Sequence, residues 1–512
     1  MNKKLIALIL CITLVGALVG CGAKETDTPS AGKANQEQPK QVETDDFNTD
    51  FSTQEPYVVK IVVADEGSAE ACAAVAEEAN KITVPKFNTS IEIVRYGFGE
   101  WEDQVQLMLA SGEKIDLMAS LWLSVSTAAR NGQILPLDNL LANYGQDMLK
   151  EISEEDWACS SVNGQVYGVR NNKELACGYG VAMLTEVLES IDYDYKSVKN
   201  EEDLTNLLAK VKEKYPDMYP ICSDFGTMGN YLSAVDWLGK DFGVLENALV
   251  SDTNIVNWWT SDTYKKTVEV RHQWVKNGLM MADPTINSET ASNLISAGKA
   301  FSYLTDTKPG IEGQWERGTD KDITVINVVP AYSTTSNLNN LWYIPYTSEQ
   351  PERAMQILNE MYINPELANI FIYGVEGKNY KVIDAENGVI DFADGVDSTN
   401  ITYAMDAWMW PNELISYKWV TDGATIWDET VQFNKEAVQS PAKGFTWDSS
   451  SVENEIVACN TVLEKYRNGL DTGELNPEEI FPKLEKEFEG AGIQKILAEK
   501  QRQLDEWLAA NK

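Results

Sequence analysis

Tyr57-Val-Val-Lys-Ile-Val-Val-Ala64 is a β-branched run that reads as a buried strand, and the segments after it decide what kind of sheet it joins. Ala69 to Ile82 is rich in small residues and reads as a helix, and Ile91-Glu-Ile-Val-Arg95 gives a second strand. From there Trp101, Val105, Met108 and Leu109 recur at helical spacing until Ser111-Gly112 supplies a stop, and Ile115-Asp-Leu-Met118 is a third strand. Strand, helix, strand, helix, strand in this order predicts an α/β body whose parallel or mixed sheet is covered by helices.

Further along, the mixture repeats. Glu201 to Tyr215 and Tyr264 to Gly278 read as amphipathic helices and Ile323 to Val329 as a strand. Proline marks several helix starts: Ser348-x-x-Pro351 opens one with Ala354, Ile357, Leu358 and Met361 on one face, and Asn364-Pro365 opens the next, which Gly374 ends. From Asn476-Pro477 the chain reads as helical to its end, with Ile493, Ile496, Leu497, Leu504, Trp507 and Leu508 in a stripe that calls for packing against the body.

Before Tyr57 the composition changes twice. Lys3 and Lys4 precede an apolar run, Leu5 to Leu18, shorter than the ~20 residues a membrane span needs, and Leu18-Val19-Gly20-Cys21 closes it. That is the pattern of a bacterial lipoprotein signal, with residues 1–20 removed and Cys21 acylated; Gly22, Ala23 and Lys24 follow at once where an uncut anchor helix would stay apolar. Residues 21–56 are poor in apolar side chains and predict a disordered tether, whose roughly 35 residues would span about 30 to 35 Å r.m.s.. The working body is therefore expected outside the cytoplasm, held to the outer face of the membrane by its N-terminal lipid alone.

The remaining chain, about 455 residues, suffices for more than one lobe. Acidic residues outnumber basic ones 79 to 42, so nucleic acid would be repelled. Once Cys11 leaves with the signal and Cys21 is acylated, Cys72, Cys159, Cys177, Cys222 and Cys459 remain, either as buried thiols or as at most two disulfides and a thiol. The single histidine, His272, cannot build a metal site alone. No H-E-x-x-H, paired C-x-x-C, G-x-S-x-G, Walker loop or EF-hand loop is present, so neither a catalytic site, a metal nor a cofactor is expected. Paired carboxylates for glycoside hydrolysis stay open, since sequence does not give their separation in space.

Aromatic residues are abundant: 15 Trp, 21 Tyr and 13 Phe. An indole face can cover the C–H face of a pyranose while Asp, Asn, Arg or Ser bond its hydroxyls. Trp101 with Asp103, Ser120 with Trp122, and Asp236 with Trp237 join both kinds of group at predicted element ends, where loops gather around clefts.

Several segments resemble the large extracellular solute-binding lipoproteins of bacterial ATP-driven sugar importers: residues 101–117, Val162-Asn-Gly-Gln-Val-Tyr-Gly-Val169, Gly298-Lys-Ala-Phe301 and Tyr373-Gly-Val-Glu-Gly-Lys-Asn-Tyr380. Trp410-Pro-Asn-Glu-Leu-Ile-Ser-Tyr417, Gly444-Phe-Thr-Trp-Asp448, Ala491-Gly-Ile-Gln-Lys-Ile496 and Glu499-Lys-Gln-Arg-Gln-Leu-Asp-Glu-Trp507 resemble the C-terminal, DUF3502-like extension of a subset of them. The resemblance implies a type II periplasmic-binding-protein-like fold: two α/β lobes joined by a hinge, with a mostly helical C-terminal extension. It places residues 57–170 in the first part of the N-terminal lobe, 171–334 in the C-terminal lobe, 335–395 in the return to the N-terminal lobe and 396–512 in an extension packing on the lobes. Crossings are expected near Val166 to Asn172 and Asn337 to Pro345. It also implies capture of a carbohydrate, in particular an oligosaccharide, between the lobes and delivery to the permease subunits of an ABC importer by a monomer without enzymatic activity. Residue type and position nominate Glu66, Trp101, Ser120, Trp122, Arg170, Tyr179, Trp237, Asp306, Trp342 and Trp410 as ligand contacts. A lipoprotein binding peptides or another small solute, and a lipid-anchored glycoside hydrolase, are the alternatives.

Overall fold

The computed structural model describes residues 50–64, 68–121, 123–229, 231–239, 242–336, 340–403 and 406–511. The expected signal, the expected lipidation residue Cys21 and the expected tether up to residue 49, and the nominated Glu66 and Trp122, lie outside the described residues.

The Tyr57–Ala64 strand lies inside a five-stranded sheet ordered Thr89–Tyr96, Tyr57–Ala64, Leu117–Ala119, Leu341–Tyr343, Val169–Arg170. Its first three strands are parallel, with Val59 opposite Ile91 and Ile61 opposite Leu117, and Leu341–Tyr343 runs antiparallel to both of its neighbours, Leu117–Ala119 and Val169–Arg170. The β-branched run is apolar because both of its faces are covered. Val59, Ile61 and Val63 enter a core with Cys72, Val75 and Ala79 of the helix Ala69–Phe87. Val62 and Ala64 enter another with Trp101, Val105 and Met108 of the helix Trp101–Ser111. The first helix continues past the expected end at Ile82, through Pro85, because Ser68 caps its start and Asn88, in the left-handed region at φ 50°, closes its last turn on the Val84 carbonyl.

A second five-stranded sheet is ordered Val438–Gln439, Ile323–Ser333, Cys177–Leu184, Ala300–Thr307, Tyr219–Ile221. Cys177–Leu184 lies antiparallel between its two neighbours, and the helices Glu201–Lys214 and Asp262–Lys276 supply Leu204, Leu207, Leu208 and Trp274 to its core. Strand Ile323–Ser333 outruns the expected Ile323 to Val329 because register shifts after Asn327 and Val329 let it bulge and continue. Gly180 in the facing strand permits this approach: a Cβ there would sit 1.8 Å from the Ile326 carbonyl oxygen.

The chain passes from the first sheet to the second between Arg170 and Cys177 and returns between Ser333 and Leu341. Both junctions lie on the second-sheet side of the strands Val169–Arg170 and Leu341–Tyr343, which pair with each other inside the first sheet. A third passage, after Lys418–Trp419 and through the helix Ile426–Glu436, brings Val438–Gln439 to the second sheet. Neighbouring crossings are laced by Asn171 N–H donating to Asn340 O, Asn172 N–H to Pro411 O and Ser333 Oγ to Leu175 O.

The stretch after residue 395 divides differently from the expected boundary. Tyr403, Met409 and Trp410 belong to the core of the first lobe, with the Trp410 ring stacked 4.8 Å from Phe371, so this stretch completes that lobe. The helical extension begins near Ala442. Phe445, Ile456, Leu463, Phe481, Leu484, Ile496 and Leu504 share one core with Tyr231, Phe242, Trp258 and Tyr264 of the second lobe. Cys72, Cys159, Cys222 and Cys459 are buried thiols and Cys177 is a half-buried one. Among the described residues no helix is long and apolar enough to cross a membrane.

Candidate functional site

A cavity of about 490 Å³ opens where the two lobes, the crossing segments and the extension meet. The first lobe gives it Glu102, Gln106 and the loop and helix start around Leu121, Leu123, Ser124, Ser126 and Thr127. The second lobe gives Trp237 and Gly239, the return crossing gives Thr335 and Ser336, and the extension gives Phe445, Thr446, Trp447 and Ser449. The walls are aromatic rings interspersed with hydroxyls, and Glu102 is the charged residue among the described lining. Such a surface stacks and hydrogen-bonds a neutral polyhydroxylated molecule, and its volume falls in the ~300 to 1,000 Å³ of small-molecule sites.

Trp237 reaches the cavity from a turn built by its neighbours. Asp236 is buried and its Oδ1 accepts from Leu238 N–H at 2.9 Å, while Leu238 and Gly239 take φ values of 49° and 91°. Burial raises the Asp236 carboxyl, although bonds from Ser440 Oγ and the Leu238 amide oppose that. Trp258 and Trp259 back the indole at 6.0 and 5.9 Å.

Beside the crossing after Arg170 lies a largely buried charge cluster. Glu174 meets Lys173 Nζ at 3.0 Å and Lys308 Nζ at 3.1 Å. Burial by itself would raise the Glu174 carboxyl, but the two ammonium groups outweigh it and hold it well below the usual carboxylate range. Glu413 accepts from the Glu174 amide at 3.3 Å, and burial, then the Glu174 charge, push it far upward. Burial, then Asp306 and Glu174, push the Cys177 thiol up to about 12, which makes it a poor nucleophile at neutral pH. No group of three or more His, Cys, Asp or Glu able to hold a metal ion occurs among the described residues.

Of the nominated contacts, the structure brings Trp237 to the cavity. Trp101, Trp342 and Trp410 are corrected: each is 0 to 1 % exposed, in the first-lobe cores. Trp342 donates its indole N–H to Met409 O at 3.1 Å and lies 5.5 Å from Trp410, so these rings join the returning chain to the sheet. Ser120 is corrected likewise, because its Oγ accepts from Leu341 N–H at 2.9 Å and splices two strands. Arg170 is buried against Asp156 at 3.1 Å. Tyr179 and Asp306 face each other across two strands of the second sheet, away from the described cavity wall, and Tyr179 lies 6.3 Å from Tyr332. The sequence reading missed Ser124, Ser126, Thr127, Thr335, Ser336 and Trp447. Two hydroxyl-rich runs, Ser124-Val-Ser-Thr127 and Ser333-Thr-Thr-Ser336, were the signal for most of them.

Two lobes, laced crossings and a cavity between them define a ligand-capturing protein of the periplasmic-binding-protein type. The chain belongs to the family of bacterial extracellular solute-binding proteins, which matches residues 69–364, and a domain of unknown function, DUF3502, matches residues 441–509. A curated relative, a carbohydrate ABC transporter substrate-binding protein of Streptococcus pneumoniae, is 27% identical over 450 residues, covering 85% of this chain and 88% of that protein. Among solved structures, the N-glycan transport solute binding protein NgtS of Streptococcus pneumoniae superimposes with a TM-score of 0.79 at 24% identity, over 89% of this chain and 100% of that one. The complex of that protein with Man5GlcNAc gives 0.75 at 24% identity, over 89% and 99%. The family is one of extracellular proteins, in line with a body outside the cytoplasm.

Proposed function

We propose that this chain captures a neutral oligosaccharide between its lobes and delivers it to the membrane permease of an ABC importer. The observation that carries the reading is the inter-lobe cavity itself, aromatic and hydroxyl-lined, with Glu102 as its one charged described residue. A ligand that bonds both lobes favours their closed arrangement by the difference in its affinity for the two states, and a permease needs only to recognise that arrangement. No bond in the ligand is made or broken. The carbohydrate and N-glycan assignments of the relatives support the same reading.

Calorimetric titration with Man5GlcNAc, with a maltodextrin series, with an acidic uronate oligosaccharide and with a mixed peptide panel tests it. Saturable binding of a neutral glycan, with the glycan recovered intact after prolonged incubation, is the expected result. Binding confined to peptides, or cleavage of the glycan, would sink it. The same reading has the body tethered through an acylated Cys21, so Cys21→Ala should move the protein from the membrane fraction to the medium.

A further inference from the structure

We infer that the C-terminal extension is part of the binding site, and that Trp447 Nε1 together with Ser336 Oγ forms a polar subsite that receives oxygen atoms of the bound sugar. This deepens the oligosaccharide reading and rests on it.

Trp447 lines the cavity and is 8 % exposed, and its indole N–H is buried with no hydrogen-bond partner. Ser336, on the return crossing, lines the same cavity, and its Oγ is likewise buried without a partner. Buried donors almost always find acceptors, because a desolvated N–H or O–H left unpaired is destabilising. Two such groups, on residues from separate parts of the chain that line one cavity, assign their missing partners to whatever the cavity holds. An indole N–H is a donor only, so the ligand atom opposite it must accept: a sugar hydroxyl, ring oxygen or acetamido carbonyl.

The surroundings hold Trp447 in place. Lys500, fully buried in the helix Ile493–Ala510, sets its ammonium 4.2 Å from the Trp447 ring centre and donates to Phe242 O at 3.0 Å and Gly243 O at 2.9 Å, beside the turn that carries Trp237. Asp448 N–H donates to Gln503 Oε1 at 3.0 Å, and Gln503 Nε2 returns a bond to Asp448 O at 2.8 Å. From the opposite lobe, Ser126 Oγ donates to Trp447 O at 3.3 Å. The extension therefore holds Trp447 at the cavity on a segment fixed to the second lobe and touched by the first.

The test is calorimetry on the full chain with the neutral glycan that the wild type binds most tightly. Trp447→Phe keeps an aromatic face and removes the N–H; Ser336→Ala removes the hydroxyl. Each is expected to weaken binding about fivefold to tenfold with the circular dichroism spectrum unchanged. If Trp447→Phe does not fold, Ser336→Ala decides alone. Affinities within about twofold of wild type in the folded variants overturn this inference and leave the oligosaccharide reading standing. A wild type that binds no glycan overturns both.

Discussion

Trp237 and Trp410 show how little a residue's identity says about its surroundings. Both are indoles nominated as ligand contacts, yet one lines the inter-lobe cavity and the other is sealed against Phe371. The difference lies in the backbone: the Asp236 carboxylate ties the Leu238 amide and turns the chain so that the indole between them faces the cleft. Trp237→Ala is expected to weaken glycan binding by at least tenfold in calorimetry, about 1.4 kcal/mol, because it removes most of one stacking face. Glu413 makes a prediction about pH. A carboxyl raised in the folded state holds its proton there after the unfolded chain has released it, so its stabilising contribution declines as pH rises from the ordinary value of 4.5 toward the raised folded one. Glu413→Gln removes that decline. Its Tm should exceed that of the wild type by about 2 to 4 °C near pH 7.5, and the gain should shrink toward about pH 4.5, as followed by differential scanning calorimetry.

Helix starts were legible because their signals are local. Pro351–Ile363, Pro365–Tyr373 and Pro477–Ala491 each begin at the proline that marked them. Ends were harder, since the first helix runs past Pro85 on contacts formed elsewhere: Asn88 Nδ2 donates to Phe51 O and Gln54 O. Where the extension docks was likewise not written locally. Asp471, near the end of the short helix Arg467–Asp471, accepts from Tyr231 OH and Tyr264 OH, each at 2.8 Å, while Arg271 donates to its backbone carbonyl and is paired with Glu201 at 2.7 Å. His272 Nδ1 lies 2.7 Å from Gly473 O, so the lone histidine serves this seam. Asp471→Ala leaves two buried phenols without their acceptor and should cost about 2 to 4 kcal/mol in denaturant unfolding. Asp471→Asn keeps a carbonyl oxygen and should cost about 1 kcal/mol.

Between the lobes, Arg130 of the first reaches Asp448 and, at 3.7 Å, Glu453 of the extension. Both carboxylates are more than half exposed, so these ion pairs are surface contacts worth about 0 to 1 kcal/mol, and the ligand must supply most of the closing energy. Arg130→Ala should therefore weaken binding by less than about fivefold, an effect that fades when titrations are repeated in high salt. A larger loss would mean that the ion pairs, rather than the ligand, close the cleft.

The α/β alternation and the helical tail could be read from the chain because apolar periodicity, caps and proline are properties of a few consecutive residues, whereas the two-lobed arrangement was implied by the resemblance to the solute-binding lipoproteins. The sequence by itself also set a charge and motif inventory that left no familiar catalytic constellation. Which aromatic rings face the ligand, where the first lobe ends and what the extension touches were decided by the tertiary structure. Those outcomes depend on the meeting of residues more than a hundred positions apart, Trp237 beside Lys500 and Ser126 against Trp447. Whether a given ring is sealed in a core or lines the cleft is a property of that assembled surface, and no local pattern encodes it.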